Sequence, residues 1–144
     1  MTPLELYQRP GFLLRRLHQI AAAVFENACA DLGLTTAQYG VLVIVHSEPG
    51  IDQTRLARAL AFDKVTVMRV LRGLEERGLV ARVTSGRQKT LDLTPAGNAL
   101  LAQARERADA ASRRLMSPLD SADQAQLVRL LQTLVNGLAD EARA

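Results

Sequence analysis

The 144-residue chain has one cysteine, no tryptophan, two histidines and only five aromatic residues, Tyr7, Phe12, Phe25, Tyr39 and Phe62. A single thiol, Cys29, excludes an internal disulfide and any multi-cysteine metal or iron–sulfur centre. So few rings argue against the aromatic platforms on which single-stranded nucleic acids stack. His18 and His46 lie far apart in the sequence with no Asp, Glu or Cys cluster at ligand spacing, so no metal is expected. The longest uninterrupted apolar run, Val41-Leu42-Val43-Ile44-Val45, falls well short of the roughly 18 residues a bilayer span needs and reads as core. The N-terminus, Met1-Thr2-Pro3-Leu4-Glu5-Leu6, has neither a basic region nor an apolar stretch of the kind that directs export, so the expected location is the cytoplasm. Phosphate-cradling glycine loops, nucleophile elbows and motif-spaced Ser–His or Cys–His pairs are all missing, and neither an enzyme nor a cofactor is expected. What is present is enough apolar sequence, 48% of residues, to bury the core of one domain.

The net charge of +3 hides an asymmetry. Residues 55–89 hold nine basic side chains (Arg55, Arg58, Lys64, Arg69, Arg72, Arg77, Arg82, Arg87 and Lys89) against Asp63, Glu75 and Glu76, while the remainder has more acids than bases. Positive charge gathered into one central quarter of a chain is what a polyanion would feel.

The hydrophobic pattern assigns an element to each stretch. From Gly11 to Leu32, apolar residues at 13, 17, 20, 24 and 28 recur at helical spacing between Pro10 and Gly33, predicting one long helix. Thr35-Thr36-Ala37-Gln38 fits a capping box for a second helix over about 37–47, stopped by Glu48-Pro49-Gly50. Asp52 and Asp63 are placed to cap two more helices, the second carrying Val67, Val70, Leu71 and Leu74 and ending at Gly78. After Gly78 the period shortens to that of strands over 79–84 and 89–93, joined through Ser85-Gly86-Arg87-Gln88 as a hairpin. Thr94-Pro95-Ala96 opens a helix running to about Leu115. Ser121-Ala122-Asp123-Gln124 reads as a further capping box for a last helix with Leu127, Leu130, Leu131, Leu134 and Leu138. The predicted fold class is mainly α with a small β-hairpin wing.

A short helix, a tight turn, a basic helix and a hairpin follow the order of a winged helix-turn-helix, whose second helix enters the major groove of double-stranded DNA. With Val67, Val70, Leu71 and Leu74 turned inward, the opposite face presents Lys64, Val65, Thr66, Met68, Arg69 and Arg72. Arginine binds guanine through two parallel hydrogen bonds, and threonine or valine methyls meet the thymine methyl. Thr54, Arg55 and Arg58 on the preceding helix are placed for phosphates, and Arg87 at the hairpin tip has the reach and charge for a narrow minor groove.

At this point the chain resembles the MarR-type transcriptional regulators over nearly its whole length. The carriers are Leu34-Thr35-Thr36-Ala37-Gln38-Tyr39, Leu56-Ala57, Asp63-Lys64-Val65-Thr66-Val67, Leu74-Glu75-Glu76-Arg77-Gly78-Leu79-Val80-Ala81-Arg82 and Leu93-Thr94-Pro95-Ala96-Gly97. The resemblance implies a homodimer with two winged heads on a pseudopalindromic operator, and repression relieved by a small ligand. It divides this single domain into a DNA-binding part at 34–94 and dimerisation helices at 1–33 and 95–144. The wing departs from the family, reading Ser85-Gly86-Arg87 where an Asp-Arg-Arg-like stretch is usual, so the aspartate that would brace a wing arginine is missing. Leucine and alanine stripes on the outer helices exceed what so short a chain can cover, which also points to pairing across a two-fold axis.

On the first helix Arg15, His18, Ala22, Phe25, Cys29 and Leu32 follow at spacings of three or four, a stripe with a cationic and an apolar end that would suit an aromatic acid. Tyr39 and His46 share a face of the second helix. Arg15, His18, Tyr39 and His46 are therefore the expected effector-binding residues. The Arg15-Arg16-Leu17-His18 start is most similar to the regulators of aromatic-acid breakdown, of benzoate or hydroxynicotinate type. The expected function is a repressor released by such a ligand, with a Cys29-based redox sensor or a ligand-independent DNA-binding protein as alternatives.

Overall fold

Side chains that accept a hydrogen bond from the first turn set nearly every helix start. In the computed structural model, which describes residues 1–143, Thr2 caps a short helix α1 (Pro3–Tyr7), and α2 (Pro10–Ala28) starts on Pro10 with no side-chain cap. Thr35 and Gln38 form the expected box at α3 (Thr36–Ser47), with reciprocal hydrogen bonds of 3.1 Å. Asp52 and Asp63 cap α4 (Gln53–Leu60) and α5 (Lys64–Glu76). Thr94 caps α6 (Pro95–Met116), and α7 (Ser121–Leu138) follows.

Between α3 and α4 a two-residue strand β1 (Ile51–Asp52) pairs antiparallel with β3 (Gln88–Leu93), which pairs in turn with β2 (Val80–Ser85), giving the sheet order β1-β3-β2. The hairpin register runs from Val80 opposite Leu93 to Ser85 opposite Gln88. Gly86 at φ 63° opens the two-residue turn, as a II′ hairpin requires. Beyond Val80, every residue of β2 is exposed, so the distal hairpin projects from the head as a wing.

Helix α3 is the centre of the core. Its Val41, Leu42 and Val45 are buried with Ile51, Leu56, Val67, Leu71, Leu74, Leu91 and Leu101, contributed by β1, α4, α5, β3 and α6. Helix α2 lies along α6, which joins the head to the outer helices. None of the residues of α7 is buried.

Three expectations change. The first helix is not continuous to Leu32: α2 stops at Ala28, Cys29 leaves helical geometry at ψ 16°, a 3-10 turn follows over Ala30–Leu32, and Gly33 in the left-handed region ends it. The last helix is capped by Asp120 rather than Ser121. The Asp120 carboxylate accepts from the Asp123 amide at 2.8 Å, while Gln124 donates back to the carbonyls of Met116 and Leu119. Strand β1 was not expected, because two residues carry no period to read. Residue 144, the last of the expected dimerisation segment, lies outside the described residues.

Candidate functional site

The tight turn before α5 sets the angle at which that helix leaves the head. Ala61 takes the left-handed conformation at φ 55°, and the amides of Ala61 and Phe62 donate to the carbonyls of Arg58 and Ala57, closing α4 with a Schellman motif. Asp63 then caps α5 through the Thr66 amide at 2.7 Å. The carboxyl of Asp63 is held below the usual aspartate range, first by the Thr66 backbone and then by the Thr66 side chain, with a smaller contribution from the charge of Arg69.

The fixed helix divides its residues as expected. Val67, Val70, Leu71 and Leu74 are buried, and Lys64, Val65, Met68, Arg69 and Arg72 are exposed, with Thr66 half-buried at the edge. Val65 is 75% exposed, an apolar side chain presented to solvent. Thr54 and Arg58 on α4 and Arg87 at the wing tip are exposed as well.

The basic cluster read from the sequence is smaller in space. Arg77 donates to the carbonyls of Gly33 and Leu32, each at 2.9 Å, and so ties the end of α5 to the turn after α2. Arg82 is held by Glu75 at 2.7 Å and Gln53 at 2.9 Å. Arg55 is paired with Glu48, so this expected phosphate contact already has a carboxylate on its guanidinium. Among the described residues the side chains of Arg58, Lys64, Arg69, Arg72, Arg87 and Lys89 form no hydrogen bond or salt bridge, and these supply the open positive surface.

Beside this surface lies a cavity of about 690 Å³, within the size range of small-molecule sites. Helix α2 gives it His18, Ala22 and Glu26, the start of α3 gives Thr36 and Ala37, and Leu60, Phe62, Arg69 and Val70 close it from the helix-turn-helix. The four expected effector residues are not brought together there. Only His18 is on the wall. Arg15 lies one turn earlier, with its guanidinium 5.4 Å from the centroid of the Phe12 ring. Tyr39 packs on Phe25 with ring centroids 5.2 Å apart, and burial pushes its phenol pKa up, leaving a protonated ring of the core. His46 lines a separate hollow with Pro49, Asp92 and Asn98, its Nδ1 3.1 Å from the Asn98 side-chain oxygen. Sequence spacing places residues on a face of one helix but does not say which neighbour that face meets, and α3 is surrounded on several sides. Glu26, Phe62 and Arg69 were missed as cavity residues because they come from separate elements.

Cys29 is fully buried, and burial pushes its thiol pKa up. Among the described residues no group of three or more His, Cys, Asp and Glu is placed to hold a metal, and no helix is long and apolar enough to cross a membrane.

This arrangement has known relatives. The sequence profile of the MarR family matches residues 32–89, and the HTH-type transcriptional repressor Rv2887 of Mycobacterium tuberculosis is 33% identical over 127 residues, which cover 86% of this chain and 91% of the relative. The chain belongs to the MarR family. Solved MarR-like structures superpose over most of both chains. The Bordetella bronchiseptica regulator BpsR, whose DNA binding is regulated by 6-hydroxynicotinic acid, matches with a TM-score of 0.84 at 30% identity, covering 89% of this chain and 95% of that one. CouR from Rhodococcus jostii, bound to p-coumaroyl-CoA, matches at 0.78 and 29% identity, covering 90% and 93%. The Mycobacterium repressor itself has been crystallised with salicylic acid. As a MarR-family transcriptional regulator, the chain has its winged helix-turn-helix in α4, α5 and the β2–β3 hairpin.

Proposed function

We propose that this regulator is a cytoplasmic homodimeric repressor that binds a pseudopalindromic double-stranded operator and loses operator affinity when a small aromatic carboxylate occupies the cavity at His18. The observation that carries the reading is the position of that cavity: it opens between α2 and the helix-turn-helix and reaches Arg69 on the exposed face of α5. Thr54 and Arg58 meet phosphates, Arg55 joins them by exchanging Glu48 for a phosphate, Lys64, Val65, Thr66, Met68, Arg69 and Arg72 face the major groove, and Arg87 enters the minor groove. Residues 34–94 form the DNA-binding part and the flanking segments the dimer layer. Bound acid favours a spacing of the two heads that no longer matches successive major grooves. The ligand class is supported by the relatives, one regulated by 6-hydroxynicotinic acid and one crystallised with salicylic acid. His18 lies on the cavity wall and serves as donor or acceptor to the acid; Arg15, Tyr39 and His46 lie outside that wall and are not assigned to the ligand. A Cys29 redox sensor is disfavoured, because a buried thiol in an apolar setting is poorly nucleophilic.

The test is a titration of the protein against its own upstream intergenic DNA and a random duplex at fixed salt, with and without salicylate and 6-hydroxynicotinate. The expected result is specific binding weakened by one of the acids. Arg69→Ala is expected to relax sequence preference at one base pair by about 1–3 kcal/mol. Arg58→Ala is expected to weaken all duplexes alike and flatten the salt slope by roughly one. Equal binding to both duplexes by the unmodified protein would defeat the operator reading.

A further inference from the structure

The ligand cavity and the DNA-facing surface share one side chain. Arg69 lines the cavity next to Val70, yet it stands on the exposed side of α5, one turn from Val65 and from Arg72 and away from the buried stripe. Among the described residues its guanidinium forms no hydrogen bond or salt bridge; the Asp63 carboxylate feels its charge without bonding to it, which leaves its donors open. Among the described residues it is also the only Arg or Lys on that wall, the rest of which is apolar or uncharged apart from His18 and Glu26. A carboxylate leaving water needs a fixed positive partner, and the planar guanidinium fork supplies charge and two parallel hydrogen bonds together. Glu26, contributed by α2, repels an anion from its own part of the wall and so orients the acid with its carboxylate toward α5.

We propose that Arg69 anchors the carboxylate of the bound acid, so that ligand and operator compete for a single guanidinium. A fork closed on a carboxylate has no donors left for the O6 and N7 of guanine, and a fork closed on guanine is withdrawn from the cavity. This acts alongside any change in head spacing, and it rests on the aromatic-acid reading of the cavity above.

Calorimetric titration of the DNA-free protein with salicylate and with 6-hydroxynicotinate tests the anchor in the wild type, Arg69→Gln and Arg113→Gln, each checked for folding by circular dichroism. Arg69 and Arg113 are both exposed, but only Arg69 is on the wall. The expected result is a loss of acid affinity of about tenfold or more in Arg69→Gln, from a missing charge-assisted pair, with Arg113→Gln unchanged. Wild type and Arg69→Gln binding an acid equally well overturns the anchor and leaves the cavity reading intact. A wild type that binds neither acid overturns both. In a second arm, the acid concentration that half-releases a bound operator duplex is expected to rise in proportion to free operator without a ceiling. A ceiling, the sign of a ternary complex, overturns the competition.

Discussion

Ala61 is the one non-glycine residue with positive φ among the described residues, and it sits in the turn that aims α5. The left-handed region costs an L-residue about 1–2 kcal/mol, while glycine adds freedom to the unfolded chain. Ala61→Gly is therefore expected to stabilise the protein by roughly 0.5–1 kcal/mol, read from the midpoint of a denaturant curve; an unchanged or lower midpoint would count against strain at this turn. Two residues later, Asp63 couples α5 to pH. Its folded pKa is depressed, so the stability it supplies is present above the ordinary aspartate range and is lost as pH falls through the lower, folded value. The Thr66 amide resonance is expected to move with that acidic titration, and Asp63→Asn is expected to abolish the step. The caps at Asp52 and Asp63 were legible in the sequence, because an N-cap depends on the residue and the first turn after it, whereas Asp120 was passed over because the adjacent Ser121 offers the same signature one residue later. The strain at Ala61 was not, since nothing in the identity of an alanine marks φ.

At the scale of elements, local grammar carried the reading a long way. Caps, the Gly33 and Gly78 stops, and the switch from helical to strand period at Leu79 place the helix-turn-helix and the wing within a residue or two. What failed were features decided by distant neighbours. Strand β1 exists because Ile51 and Asp52 meet Leu91 and Thr90, and the expected helix through Leu32 breaks where Asp31 is drawn to Arg107 of α6 and the Leu32 and Gly33 carbonyls face Arg77. The same distant contacts reduced the basic cluster, since Arg77 and Arg82 read as surface charge and serve as ties within the fold. One packing contact is tight enough to test. A Cβ on buried Gly97, in the first turn of α6, would lie 2.1 Å from the Leu79 backbone oxygen. Gly97→Ala is expected to cost about 1–3 kcal/mol through overpacking, because a backbone carbonyl cannot rotate aside as a flexible side chain can. Unfolding at the wild-type midpoint would show that α6 shifts without penalty.

For the whole molecule, the unmet surface is at the ends of the chain. Leu4, Tyr7 and Leu13 near the N-terminus and Leu134, Val135 and Leu138 on α7 are each at least half exposed, an apolar area that a second copy would cover. The double variant Leu134→Asp and Leu138→Asp is expected to be monomeric by light scattering and to lose most operator affinity while keeping its helical circular dichroism; a variant still dimeric would move the interface away from α7. The Arg77 tie has a mechanical meaning at this scale. With its two donors fixed on the turn at the foot of α2, the base of the DNA-reading helix is bolted to the chain's entry into the head. Any swing of the head is then expected to carry that turn and the α5 helix together as one lever.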